Sequence, residues 1–231
     1  MPSRREFDTA LRPEAVLFDM DGLLVDTEPY WLETERELMA EFDVQWTTED
    51  QLFCLGGPMQ KVGQYMSELA NSAQPPEWFT SELIKRMTVK FRSISLMPGI
   101  ARLLDEIRDV DLPSALVSAS PRQLVDAVLA SIPNHPFRLS ISADDVQRGK
   151  PHPDPYLKAA VDLKIEITNA LILEDSPTGV TAARASGAWV VAVPHIAPIE
   201  PAAKSVVIDS LHGMSINSLW GYVRNIKVGL D

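Results

Sequence analysis

Four short polar segments of the chain carry side chains suited to binding a metal ion or a phosphate group. They are Asp19-Met20-Asp21, Ser118-Ala119-Ser120, Gly149-Lys150-Pro151 and Glu174-Asp175-Ser176. Carboxylates gathered without a cation would repel one another and raise their pKa values, and a hard divalent cation removes that repulsion. Oxygen ligands without suitably spaced histidine or cysteine favour Mg²⁺, while a lysine and serine hydroxyls suit the oxygens of a phosphate group. Together the segments predict a site for Mg²⁺ and phosphate.

Each segment taken alone also has an ordinary structural interpretation. The Asp-x-Asp-Gly sequence that begins at Asp19 is common in turns and recurs in calcium loops, although a calcium loop between two helices would not follow an apolar strand. Serine and acidic residues often cap helices, and a lysine is most often solvated at the surface. The functional interpretation therefore depends on the four segments meeting in one crevice.

Three of the four segments follow short apolar runs that predict buried strands, and the fourth precedes a helix. The predicted strands are Ala15–Phe18, Ser114–Ser118, Ala170–Leu173, Trp189–Val193 and, at one edge, Ser205–Ile208. The predicted helices around them are Ile100–Arg108, Leu124–Ser131, Pro155–Leu163, Val180–Ala185 and Ser215–Arg224. This alternation implies a doubly wound, Rossmann-like α/β parallel sheet, whose ligand crevice lies beyond the carboxyl ends of the strands. Such a fold would bring the polar segments together.

The segment from Glu28 to about Arg92 has helical periodicity instead. Bulky residues recur there at helical spacing in three sets: Trp31, Glu35, Leu38 and Phe42; Val62, Tyr65, Met66 and Leu69; Phe79, Leu83, Met87 and Phe91. We predict a small α-helical cap inserted after the first strand, with the core at residues 1–26 and 96–231 and the cap at residues 27–95. Within the cap, Leu55–Lys61 is either a substrate-facing loop or a plain turn, and Trp31 either anchors the cap or lines a site.

The charge balance narrows the class of ligand. The chain has 231 residues and a formal net charge of −11, and a field of that sign repels nucleic-acid backbones and anionic membrane surfaces. The single cysteine, Cys54, cannot form an internal disulfide, and no apolar segment reaches the length of a signal peptide or a membrane span. We expect a monomeric cytoplasmic protein that acts on a small molecule and binds neither nucleic acid nor membrane.

The motifs resemble those of the haloacid dehalogenase-like phosphohydrolases, in particular the subgroup with a small helical cap that includes sugar-phosphate phosphatases and β-phosphoglucomutase. The matching stretches, in order, are Phe18-Asp-Met-Asp-Gly-Leu-Leu-Val-Asp-Thr-Glu28, Ser118-Ala-Ser120, Gly149-Lys-Pro-His-Pro153 and Leu173-Glu-Asp-Ser176 with Gly179. The motifs stand in the family's order and at suitable spacing, and the resemblance covers nearly the whole chain. One such motif alone would be weak evidence, whereas four together are highly specific.

The resemblance implies a role for each matching residue. Asp19 would be the nucleophile that becomes an aspartyl phosphate, and Asp21 would protonate the leaving group and then activate water. Ser118 and Lys150 would hold the phosphoryl oxygens. Mg²⁺ would be bound by the Asp19 side chain, the Asp21 backbone carbonyl and Asp175, with support from Glu174. The implied reaction is Mg²⁺-dependent hydrolysis of phosphomonoesters of small metabolites.

The resemblance also bears on the substrate. Asp21 argues against the dehalogenase and phosphonatase branches, which carry an aromatic or a small residue there. Trp31 stands where mutases carry a histidine, so a sugar-phosphate phosphatase of the 2-deoxyglucose 6-phosphate type is favoured over a β-phosphoglucomutase-type enzyme. The residues implied to contact substrate, besides Ser118 and Lys150, are Thr27, Glu28, Gln60, Ala119 and Ser120. A binding protein that retains the fold without catalysis is the alternative from another class.

Overall fold

The computed structural model describes residues 12–54 and 59–225. Within these residues six strands form one parallel sheet in the order β3-β2-β1-β4-β5-β6. The strands are β1 (Ala15–Phe18), β2 (Ser114–Val117), β3 (Leu139–Ile141), β4 (Ala170–Glu174), β5 (Trp189–Ala192) and β6 (Ser205–Val207). This order is that of a doubly wound sheet: strands are added on one side of β1 up to β3 and on its other side from β4 onwards. The predicted fold class is confirmed.

Nine α-helices surround or follow the strands in the described residues. Four lie between β1 and β2: α1 (Glu28–Ala40), α2 (Thr48–Cys54), α3 (Met59–Leu69) and α4 (Pro76–Lys90). The others are α5 (Ile100–Asp109), α6 (Arg122–Ser131), α7 (Asp154–Leu163), α8 (Pro177–Ser186) and α9 (Ile216–Arg224). The predicted helices all appear, with ends displaced by at most a few residues.

The centre of the sheet is buried on both faces, since successive side chains of a strand point to opposite faces and every residue of β1, β2 and β4 is buried. On one face, Leu17, Ile172 and Val190 belong to an apolar core that includes Tyr156 of α7 and Val180 of α8. Elsewhere α9 packs against β5, β6 and α5. All four residues of β1 have no exposed surface, which agrees with its place at the centre of the sheet.

Strand β3 is not among the strands predicted from the sequence. It has only three residues, Leu139–Ile141, and the first two are half-buried because the strand forms one edge of the sheet. An edge strand this short has no alternation or apolar run long enough to be recognised.

The chain divides into two compact units. The first comprises the described residues up to Val25, Leu96–Ser120 and the described residues from Asn134 onwards, and it contains the whole sheet. The second comprises the described residues of Asp26–Ser95 together with Pro121–Pro133, so α6 groups with α4 and the turn that follows it. The predicted boundaries at residues 26 and 96 place α6 in the core instead. Those boundaries, and the function of the helical unit as a cap, stay predictions.

The helical unit has its own apolar core. Leu38, Met66, Phe79 and Leu83 are fully buried in it, and the half-buried ring of Trp31 packs against the same cluster. This favours Trp31 as an anchor of the helical core.

The interpretation of Leu55–Lys61 as a loop is only partly tested. Residues 55–58 lie outside the described residues. Met59, Gln60 and Lys61 form the first turn of α3, so the loop prediction is wrong for these three. The glycines and the proline that favour a turn in this stretch all precede Met59 in the sequence.

No helix among the described residues combines the length and the apolar character that a bilayer crossing requires.

A glycine exchange tests the turn that precedes α5. Gly99 has φ of +90°, and a Cβ atom there would lie 2.2 Å from the carbonyl oxygen of Leu211. We expect Gly99→Ala to lower the free energy of unfolding by more than about 2 kcal/mol, since the left-handed backbone and the clash both disfavour a side chain. Gly221 is the matched control, because it lies within α9 and no heavy atom of the described residues is within 4 Å of its Cβ position. Gly221→Ala should raise the free energy of unfolding by about 0.5–1 kcal/mol. Urea denaturation measures both, and equal losses at the two positions would contradict the analysis.

A buried acid in the helical unit predicts a pH dependence of stability. Glu35 is 4% exposed and its Oε2 accepts a hydrogen bond from Trp46 Nε1 at 3.0 Å. Burial raises the pKa of Glu35 to about 8, opposed by the Trp46 bond and aided by Glu28. Since the folded pKa lies above the unfolded value, the neutral carboxyl stabilises the fold fully below about pH 4, and this stabilisation is lost as the pH rises through 8.

We therefore expect Glu35→Gln to gain stability relative to the wild type between pH 6 and pH 9, as measured by urea denaturation at each pH. Glu37→Gln, at an exposed acid of the same helix that pairs with Lys90, serves as control. A Glu35→Gln difference that does not grow with pH would show that the carboxyl is already ionised at pH 6.

Candidate active site

The predicted site residues follow neighbouring strands of the sheet. Asp19 comes directly after β1, and its N–H donates to the carbonyl of Leu173 at 3.0 Å, which continues the ladder to β4. Ser118 comes directly after β2, on the other side of β1, and Glu174 is the last residue of β4. Parallel neighbours end at the same edge of a sheet, so these side chains meet there.

The Lys150 ammonium group lies in the middle of this edge. Its side chain is 3% exposed, and Nζ donates to Asp19 Oδ1 at 2.5 Å, Glu174 Oε1 at 2.6 Å and the Val117 carbonyl at 2.9 Å. An ammonium has three donors, so all three are used. Burial by itself would lower the pKa of Lys150, but the adjacent carboxylates of Asp19 and Glu174 raise it well above its ordinary value. The lysine is therefore charged.

Glu174 is a fully buried carboxylate whose two oxygens are both held. Oε1 accepts from Lys150 Nζ and from the Tyr156 hydroxyl at 2.8 Å. Oε2 accepts from the backbone N–H groups of Asp175 and Ser176 and from the Ser176 hydroxyl, at 3.0 to 3.2 Å. A buried charge is tolerated only with such complete hydrogen bonding. These hydrogen bonds thus hold the Glu174 carboxylate in one orientation.

Two serine hydroxyls hold the carboxylate of Asp21. Ser120 Oγ donates to Asp21 Oδ2 at 2.9 Å, and Ser118 Oγ donates to the same oxygen at 3.2 Å. Ser118 Oγ in turn accepts from the Ser120 N–H at 2.9 Å. The short turn after β2 therefore fixes the orientation of the second aspartate.

The acids at this edge form a cluster that fits a metal ion. Asp19, Glu174 and Asp175 are all buried, and each offers a carboxylate oxygen within 4.8 Å of the others. Burial, followed by repulsion from Glu174, raises the pKa of Asp19 to about 8, with Lys150 opposing; burial, followed by repulsion from Asp19, raises that of Asp175 to about 9. Asp175 Oδ1 is buried and accepts no hydrogen bond from any residue that the structure describes. An oxygen-only donor set with one carboxylate oxygen left over suits a hard divalent cation.

The glycine of the Asp-x-Asp-Gly turn is required by its neighbours. Gly22 has φ of +84°, and a Cβ atom there would lie 2.3 Å from Asp175 Oδ2 and 3.0 Å from His195 Nδ1. Any side chain at this position would displace the Asp175 carboxylate from the cluster. The exposed side chain of His195 therefore lies beside the acidic cluster.

The remaining predicted site residues are distributed over both units. Ala119 is exposed in the turn between the two serines. Thr27, at the N-terminus of α1, is fully buried, and its hydroxyl has no hydrogen-bond partner among the described residues. Glu28 is half-buried at the start of α1, and Gln60 is exposed in the first turn of α3. These three belong to the helical unit, and their substrate contacts stay predictions.

Tyr156 is the residue that the sequence analysis missed. It was predicted only as part of a helix, and it lies fully buried in α7 with its hydroxyl on Glu174. A buried tyrosine usually needs a hydrogen-bond partner. That requirement was the available signal, but it does not say which residue is the partner.

Curated proteins share about three-tenths of the matched sequence. The chain is 30% identical over 195 residues to protein CbbY of Rhodobacter capsulatus, covering 78% of this chain and 85% of the relative. It is 28% identical over 188 residues to the fructose-1-phosphate phosphatase YqaB of Escherichia coli K12, covering 76% and 94%. It is 29% identical over 184 residues to the bifunctional riboflavin kinase/FMN phosphatase of Arabidopsis thaliana, of which it spans about half, 48%.

A solved structure shares the fold. The crystal structure of CbbY from Rhodobacter sphaeroides in complex with phosphate superposes with a TM-score of 0.78 at 25% identity, covering 90% of this chain and 99% of that one. The sequence model of the haloacid dehalogenase-like hydrolase family matches residues 16–193, which include all four motifs. The resemblance drawn from the motifs is confirmed. The chain belongs to the haloacid dehalogenase-like hydrolase family.

Proposed function

We propose that this chain is a Mg²⁺-dependent phosphatase that hydrolyses phosphomonoesters of small metabolites, with sugar phosphates as the substrate class. The observation that carries the proposal is the meeting of Asp19, Lys150, Glu174 and Asp175 at one buried edge of the sheet. The chemical class is that of a phosphoric monoester hydrolase, in agreement with the family and the phosphatase names of the relatives. A nucleophile, a fixed cation and a metal-binding cluster are the parts that phosphoryl transfer needs.

Asp19 is the nucleophile in this proposal. One of its carboxylate oxygens attacks phosphorus, the bond from phosphorus to the ester oxygen breaks, and Asp19 becomes an aspartyl phosphate. Lys150 favours the ionised, reactive form of the carboxylate and supplies positive charge for the phosphoryl oxygens. The Ser118 hydroxyl, which donates to Asp21 in this structure, would turn its one proton to a phosphoryl oxygen when substrate binds.

Asp21 is the general acid and base. It gives its proton to the departing ester oxygen, which leaves as an alcohol, and then takes a proton from the water that attacks the aspartyl phosphate. The bond from Asp19 to phosphorus breaks and inorganic phosphate leaves. The hydrogen bond from Ser120 holds the carboxylate in place for both transfers.

Asp19 and Asp175 would bind the metal through their side chains and Asp21 through its backbone carbonyl, with Glu174 in support. Mg²⁺ bound there would supply a Lewis acid that neutralises charge on the phosphoryl oxygens. Burial and mutual repulsion raise the pKa values of Asp19 and Asp175, and a cation bound between them would favour the ionised forms that the reaction needs. The metal is therefore part of the proposed function.

The relatives support the substrate class. YqaB is named a fructose-1-phosphate phosphatase, and a second CbbY structure, 25% identical with a TM-score of 0.77, is a complex with xylulose-(1,5)bisphosphate. We further propose that the enzyme works in the cytoplasm as a monomer and binds neither nucleic acid nor membrane. The free, buried Cys54 and the net charge of −11 support this.

A phosphate-release screen tests the proposal. We expect the purified chain to release phosphate from hexose or pentose phosphates in preference to nucleotides and glycolytic acids, and EDTA to remove the activity. Asp19→Asn should lower turnover by more than about 10³-fold, because the amide cannot form the aspartyl phosphate. Asp162→Asn, at a surface acid paired with Lys158, is the matched control.

If the wild type released phosphate from none of the compounds in the panel, the result would contradict a phosphatase and favour a binding protein. Conversion of a sugar 1-phosphate in the presence of a bisphosphate primer, with no phosphate released, would indicate a mutase instead.

Asp21→Asn separates the two half-reactions. We expect a loss of about 10²–10⁴-fold in steady-state turnover of a sugar phosphate, the usual range for general acid–base catalysis. The leaving group of 4-nitrophenyl phosphate needs no proton, so this variant should release a burst of one 4-nitrophenolate per enzyme and then stall at the aspartyl phosphate. Stopped-flow absorbance measures the burst. Steady turnover at the wild-type rate would show that Asp21 is not the acid and base.

A further inference from the structure

We infer that Tyr156 is a positioning residue that releases Lys150 from Glu174 when a phosphoryl group binds. The inference rests on the proposed function, because it assigns Lys150 to the phosphoryl oxygens. Tyr156 itself touches no reacting atom and acts only through Glu174.

The first observation is that Tyr156 and Lys150 share one acceptor. Both donate to Glu174 Oε1, the tyrosine at 2.8 Å and the lysine at 2.6 Å, and Nζ lies 4.9 Å from the centre of the tyrosine ring. Neither the Tyr156 side chain nor the Glu174 side chain has exposed surface. Water cannot take over as a donor at this oxygen while the site stays closed to solvent.

The second observation is that the two oxygens of Glu174 are held differently. Oε2 accepts from Asp175 and Ser176, which are the next residues of its own turn. Oε1 accepts only from Lys150 and Tyr156 among the described residues, and both come from distant parts of the chain. If the lysine moves away, Tyr156 is the donor that remains on Oε1.

The third observation is that Lys150 has no donor to spare. Its three protons go to Asp19, Val117 and Glu174, so an added phosphoryl oxygen must replace one acceptor. The Val117 carbonyl is fixed in strand β2, and Asp19 is the residue to be phosphorylated. The bond to Glu174 is the one whose loss leaves a buried charge short of a donor, and the Tyr156 hydroxyl compensates for that loss.

The test removes only the hydroxyl. Tyr156→Phe keeps the ring, and Tyr65→Phe is the matched control, because Tyr65 also donates to a carboxylate, Asp50 Oδ1 at 2.6 Å, but in the helical unit. We expect Tyr156→Phe to weaken binding of inorganic phosphate in Mg²⁺ buffer by about 10-fold, measured by titration calorimetry, as befits one hydrogen bond to a charged group. The ratio kcat/KM should fall by a similar factor, and neither quantity should change in Tyr65→Phe.

Glu174→Gln provides the second arm. An amide oxygen holds the ammonium only weakly, so adding Tyr156→Phe to Glu174→Gln should weaken phosphate binding by less than about 2-fold. Two results would overturn the inference: unchanged phosphate affinity in Tyr156→Phe with only a lower melting temperature, or an equal effect of Tyr156→Phe in both backgrounds. Phosphate binding is measured without turnover, so a wild type that binds phosphate but hydrolyses nothing would count against the proposed function and leave this test decisive.

Discussion

A single ammonium group buried among carboxylates determines the geometry at the carboxyl end of this sheet. Lys150 connects the residue after β1, the last carbonyl of β2 and the last residue of β4, and each contact is within 3 Å. Removing one partner of a buried ion pair leaves an uncompensated charge, which costs far more than a surface pair is worth. The strand order matters for this reason, because it places β2 and β4, which supply the other two acceptors, on either side of β1. The ordered sheet and the charged cluster therefore depend on each other.

The residues of the cluster could be predicted because the sheet is parallel. Polar residues directly after predicted strands must meet at one edge, so Asp19, Ser118 and Glu174 follow from strand positions alone. Lys150 follows no predicted strand, and it was grouped with the others because a lysine suits phosphate oxygens and its turn precedes a helix. Tyr156 could not be predicted, since a buried tyrosine on an amphipathic helix has the same spacing whether or not its hydroxyl holds a carboxylate. The sequence likewise does not show that the serines after β2 donate to Asp21, because that contact depends on the path of two turns.

The parts of the fold that escaped prediction are those with weak local signals. Strand β3 is a three-residue edge strand, so its pairing with β2 rather than its own composition makes it a strand. Gln60 lies in α3, whereas the sequence predicted a loop there because the glycines before it permit close approach to a ligand. The helical unit contains one feature that the helical spacing predicted only in part, because the spacing puts Glu35 on the same face as apolar residues of α1 but does not show what satisfies its carboxyl group. A carboxyl group, Glu35, occupies a core position on α1, where the indole of Trp46 satisfies it.

The turn between β4 and α8 places the acidic cluster beside the positive end of a helix dipole. Helix α8 begins at Pro177, immediately after the acidic pair, and the Ser176 hydroxyl caps it by accepting from the Gly179 N–H at 3.1 Å. A Cβ atom on Gly179 would lie 1.7 Å from Glu174 Oε1, so the carboxylate rests directly on the first turn of the helix. The aligned peptide dipoles of a helix place about half a positive elementary charge at its N-terminus. Part of the cluster's negative charge is therefore balanced by backbone that cannot titrate, exchange or diffuse away.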